Sequence, residues 1–101
     1  MHFGISEKSY ELICDAFAQF PELEKVFIFG SRAKGNYKPG SDIDLAIDGK
    51  LCTNKTAYKL SVLLNEKLPI PYHVDVVCFN ELDQNSLKEH IQRVGVPFLK
   101  K

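Results

Sequence analysis

The sequence is short of most features that would place it outside a cell or in a membrane. Its three cysteines, Cys14, Cys52 and Cys78, are far apart and form no C-x-x-C pair. So odd and sparse a set suits a reducing compartment and supports neither a disulfide scaffold nor structural zinc. No stretch approaches the roughly 18 apolar residues of a membrane span, and Met1-His2-Phe3-Gly4 opens no apolar run of signal length. Cytoplasmic residence is the expectation. Net charge is also missing, because 13 basic and 13 acidic residues cancel. That argues against a long-range electrostatic grip on nucleic acid, although a local basic patch remains compatible with it. There is no internal repeat and no low-complexity segment.

What is present amounts to one domain, residues 1–101, with ordinary apolar and charged fractions for a globular chain. Tyr10, Ile13, Phe17 and Phe20 recur every three or four residues, which predicts an amphipathic helix from a Ser6 cap to a stop at Pro21. Lys25 to Phe29 reads as a short buried strand closed by Gly30, followed by a basic, glycine-rich loop to Gly40. Asp42 to Asp48 alternates: acids and Ala46 on one side, Ile43, Leu45 and Ile47 on the other. A second helix is capped by Thr53, with Ala57, Leu60, Leu64 and Leu68 as its stripe before Pro69 and Pro71. His73 to Cys78 forms a third strand, Ser86 to Val94 a last helix, and Val96 to Leu99 a short terminal strand. The order predicts an α/β, two-layer α+β arrangement: a small mixed sheet with helices covering one face, and a parallel or split pairing across the crossover helix.

Three carboxylates stand out on these strands. Asp42 and Asp44 are two apart and share a face, about 7 Å between Cα atoms. Asp75 takes the matching place in the third strand, inside the run Val74-Asp75-Val76-Val77. An acid flanked by valines needs a partner or a metal. If the two strands are neighbours, the three acids converge and repel one another until a cation neutralises them. Such hard oxygen donors suit Mg²⁺ or Mn²⁺. Gly30-Ser31 adds the complementary half, a place where backbone N–H groups can approach phosphate oxygens closely, with Arg32 beside it as a cationic candidate.

Gly30-Ser31, ten residues, then Asp42-Ile43-Asp44 resembles the signature of the minimal nucleotidyltransferases of the DNA polymerase beta superfamily. Phe29-Gly-Ser-Arg-Ala-Lys-Gly and Ser41-Asp-Ile-Asp-Leu45 match closely, and His73-Val-Asp-Val-Val77 is similar to the family's third-acid strand. The likeness runs from about Val26 to Val96. It implies the nucleotidyltransferase fold, with Asp42, Asp44 and Asp75 as catalytic metal ligands. Gly30 and Ser31 would bind the triphosphate. The resemblance fixes neither the base nor the use of Arg32; ATP as the nucleotide and Arg32 as a further contact to it are expectations added to it. The implied reaction moves a nucleoside monophosphate to an acceptor and releases pyrophosphate; the expectation is AMP, moved to a hydroxyl of a protein or a small molecule. Members of this family resemble one half of a toxin–antitoxin pair whose other half is an all-helical HEPN-type protein, so such a partner, or self-association, is expected to complete the pocket. The rival expectation is an antitoxin-like subunit that acts by binding that partner.

Other polar residues are given plainer roles. Asp48 adjoins Gly49 and reads as a turn residue, and Lys38 as a loop charge, while Lys34 is either a loop charge or a further cationic candidate beside Arg32. His73 shares a face with Asp75 and, at a strand edge, reads as structural.

Overall fold

The computed structural model describes residues 2–99. Helix α1 (Glu7–Phe17) leads to β1 (Lys25–Phe29), a single turn α2 (Ser31–Lys34), β2 (Ile43–Asp48), α3 (Asn54–Val62), β3 (Val74–Cys78), α4 (Asn85–Val94) and β4 (Val96–Leu99). The expected elements are therefore all in place, and the segment read as a loop after Gly30 contains the short α2. The four-stranded sheet has the order β3-β2-β1-β4. β1 is antiparallel to β2 and to β4, whereas β2 and β3 run parallel because α3 carries the chain back between them.

The alternation of β2 decides the layering. Ile43, Leu45 and Ile47 face one side and meet Val26, Ile28 and Val74 from the neighbouring strands, Ile13 and Phe17 from α1, and Leu60 from α3. Each such fully buried side chain contributes about 1.5–3 kcal/mol. The other side is covered only in part: Ile91, Leu87 and Val94 of α4 pack on Phe27, Phe29, Ala46 and Val77. The uncovered end of that face carries the acids. Among the described residues no helix is long and apolar enough to cross a membrane.

Helix starts obey local chemistry. The Ser6 hydroxyl accepts from the Ser9 N–H, and Thr53 and Thr56 form a reciprocal capping box at α3. α3 widens into a π-helical turn, Leu63–Lys67. That turn places Asn65 against the outer edge of β3, where its Nδ2 donates to the Val74 carbonyl at 2.8 Å and its Oδ1 accepts from the Val74 N–H at 2.8 Å. One side chain thus pairs both backbone groups that Val74, at the start of this edge strand, would otherwise present unpaired.

Replacing Asn65 by alanine leaves those two groups without a partner. Urea unfolding is expected to show a loss of about 1–3 kcal/mol; an unchanged midpoint would show that the side-chain bridge contributes nothing.

Candidate active site

The site is made by strand register. In the parallel pair, Asp44 lies opposite Asp75 and Ile43 opposite Val74, and the Ile43 N–H donates to the His73 carbonyl at 2.9 Å. Asp42 and His73, one residue before those partners, therefore share the next rung. With side chains alternating along each strand, the open face carries a patch with Asp42 beside His73 and Asp44 beside Asp75. Ligand atoms of Asp42, His73 and Asp75 all lie within 4.8 Å of one another.

Asp44 sits deeper than the other three, half-buried between Asp75 and the turn that ends β1. Burial pushes its carboxyl pKa above the ordinary value, and the negative charges of Asp75 and Asp42 push it further. His73 and His90 oppose the shift. The sequence-derived expectation that Asp75 needs a partner because valines flank it has a different physical basis here. Asp75 is exposed, and its partner is His73, whose Nε2 lies 2.9 Å from Asp75 Oδ1.

Gly30 sits at φ 75°, ψ −153°, a backbone region open essentially to glycine alone. A Cβ at this position would run into the Asp44 carboxylate. The acid and the glycine turn are therefore packed against each other, and Ser31 begins α2 directly beside them. N–H groups in the first turn of a helix have no acceptor within the helix and face outward from its start.

Arg32 has a different surrounding from the one its neighbours suggested. Its side chain is turned into the protein and is 2% exposed. Nε and Nη2 donate to the Ser41 carbonyl at 3.1 and 2.8 Å, and Nη1 donates to the Phe3 carbonyl at 2.9 Å. The guanidinium is also flanked by the rings of Tyr37 and Tyr72, 5.0 and 4.9 Å from their centroids. It fastens the loop between Gly30 and Asp42 to the N-terminal segment. Lys34 and Lys38 are exposed. Two residues outside the sequence-derived site join its surroundings: His73, whose shared face with Asp75 was visible in the alternation, and His90 of α4, which meets Phe29 edge-on at 6.3 Å. No spacing signal connects His90 to the strands.

The family model described as polymerase beta, nucleotidyltransferase matches residues 11–101. The chain belongs to this nucleotidyltransferase family. Its fold is similar to that of a toxin–antitoxin structure with AMP-PNP, with a TM-score of 0.73 and 22% identity over 91% of this chain and 73% of that one. It is also similar to a tri-AMPylated Shewanella oneidensis HEPN toxin in complex with MNT antitoxin, with a TM-score of 0.68 and 20% identity over 94% of this chain and 72% of that one. A putative nucleotidyltransferase from Sulfolobus solfataricus aligns with a TM-score of 0.59 and 27% identity, covering 92% of this chain and 78% of that one. No curated protein gives a significant match.

The residues present fit the divalent cations that such nucleotidyltransferases use. Asp44 is ionised only against burial and two neighbouring negative charges, and a cation placed among the acids removes that penalty. Without metal, the raised carboxyl pKa of Asp44 implies a stability cost. Below the unfolded-state value both states are protonated and there is no penalty. The penalty grows as pH rises through the folded-state value and is complete above it. Asp44→Asn is therefore expected to raise the melting temperature of the metal-free protein at pH 7, with the gain vanishing below about pH 4, near the unfolded carboxylate value. Melting curves across that range check it; a variant less stable than wild type at pH 7 would contradict the crowding described here.

Proposed function

We propose that this nucleotidyltransferase moves AMP from ATP to a hydroxyl of an HEPN-type helical partner protein, in the cytoplasm, where its free thiols would remain reduced. The observation that carries the reading is the register that sets Asp44 opposite Asp75, with the Asp44 carboxylate against the glycine-only turn at Gly30. A phosphate-approach point and a metal-binding acid cluster are thereby adjacent. The complexes with AMP-PNP and with an AMPylated HEPN toxin support the choice of nucleotide and partner. Catalysis is favoured over an antitoxin that acts by binding alone, because a binding subunit has no use for three crowded acids beside such a turn.

In this reading the Gly30–Ser31 backbone receives the triphosphate oxygens, and the missing Cβ of Gly30 lets the Asp44 carboxylate lie against that turn. Asp42 and Asp44 hold Mg²⁺ or Mn²⁺, and Asp75 completes the site on the acceptor side. Divalent ions bound there neutralise phosphate charge and lower the pKa of the acceptor hydroxyl. The hydroxyl oxygen forms a bond to the α-phosphorus while the bond from that phosphorus to the oxygen bridging to the β-phosphate breaks. Pyrophosphate leaves with that oxygen, and the exposed Asp75 carboxylate takes the hydroxyl proton. Arg32 acts at one remove by holding the loop that connects Gly30 to Asp42. The open end of the sheet face is where the partner presents its hydroxyl.

Incubation with α-labelled ATP, a divalent ion and a helical partner protein tests the proposal. Asp75→Asn is expected to lower transfer by roughly 10²–10⁴-fold, the usual cost of losing a general base, while nucleotide binding and melting temperature stay close to wild type because the side chain is exposed. Unchanged transfer would remove Asp75 from the chemistry.

A further inference from the structure

The patch on the open face contains three carboxylates and one imidazole, and the imidazole is the member that a site built for Mg²⁺ has no need of. We infer that His73 is a ligand of the metal site together with Asp42 and Asp75, and that this nitrogen donor turns the site from Mg²⁺ towards first-row transition ions such as Mn²⁺. The inference rests on the reading above, which places divalent ions at these acids.

The geometry supports it in three ways. Adjacent ligand atoms on an octahedral ion at about 2.1 Å lie about 3 Å apart, and opposite ones about 4.2 Å apart. His73 Nε2 and Asp75 Oδ1 are 2.9 Å apart, the spacing of adjacent ligands. All three donor groups fall within 4.8 Å, so a small inward turn of exposed side chains closes the set. The placement is also imposed by the backbone, since the Ile43-to-His73 hydrogen bond and the parallel register put residue 73 on the rung of residue 42. Finally, the imidazole is accessible: the His73 and Asp75 side chains are 57% and 54% exposed, so an ion arriving from solvent displaces only water and the contact between the two.

The chemical consequence follows from donor type. Mg²⁺ takes oxygen ligands and keeps its water, so an imidazole adds little to its binding. First-row transition ions gain from a nitrogen donor, in the order that rises from Mn²⁺ towards Cu²⁺. Asp44 lies deeper, against the Gly30 turn, and remains an all-oxygen partner for an ion on the phosphate side. The two halves of the site then differ in preference: oxygen donors towards the triphosphate, mixed nitrogen and oxygen donors towards the acceptor.

The full chain at pH 7.5 is titrated with Mn²⁺ by following the free-ion electron paramagnetic resonance signal, and with Mg²⁺ by displacement of bound Mn²⁺. The measurements are made in wild type, His73→Ala and Asp42→Asn. Pulsed spectra of bound Mn²⁺ are examined for coupling to an imidazole nitrogen. Expected are a nitrogen coupling in wild type that is absent in His73→Ala, and Mn²⁺ affinity roughly 10–100-fold weaker in that variant, with Mg²⁺ affinity changed less than about threefold. Bound Mn²⁺ without nitrogen coupling, or equal losses for both ions, would overturn the ligand role of His73 and reduce it to a residue that orients Asp75, leaving the acid site standing. Wild type that binds neither ion, or binds both as well after Asp42→Asn, would instead remove the metal site itself.

Discussion

The arrangement of this molecule turns on the repulsion between Asp44 and Asp75, held face to face by the parallel pairing of β2 and β3. A sheet gains nothing in stability from two carboxylates on one rung, and burial of Asp44 makes the placement worse. The cost is sustained by the opposite side of the same strands. Ile43, Leu45, Ile47 and Val74 are fully buried, and moving the register by one residue would turn those side chains outward. The apolar face thus holds the acids where their own charges would not put them.

The second support is the loop between Gly30 and Asp42. An eleven-residue excursion that contains Gly35 and Gly40 would ordinarily be mobile. Here a buried guanidinium reaches from α2 to the Ser41 carbonyl, next to the first acid, and to the Phe3 carbonyl near the chain start. The aromatic rings on either side of it, Tyr37 from the loop and Tyr72 from the approach to β3, bring three separated segments around one cation. The residue beside the Gly30 turn therefore fixes the distance between that turn and the acids, a contribution that depends on its charge and on its planar fork alike.

Much of this was legible in the sequence because it rests on periodicity and spacing. The two-residue alternation of Asp42 to Asp48 and His73 to Cys78 gave both strands and their acidic faces, and the three-to-four spacing of Ile13, Phe17, Leu60 and Leu64 gave the helices that cover the core. Strand order was not legible, since pairing across α3 is decided by packing between distant segments. The inward turn of Arg32 was hidden for the same reason: its partners Phe3, Ser41 and Tyr72 lie up to forty residues away. His73 was visible on the right face, but only the register with Asp42 shows that it stands among acids.

Asn65 gives the sheet an ending of an unusual kind. A carboxamide is a peptide group carried on a side chain, and at β3 it makes the two hydrogen bonds that the backbone of a fifth strand would make at that point. In polymer language it is a chain terminator: it satisfies the growing edge with a unit that offers nothing for the next one to add to. Any strand that came to extend the sheet at Val74 would first have to displace it.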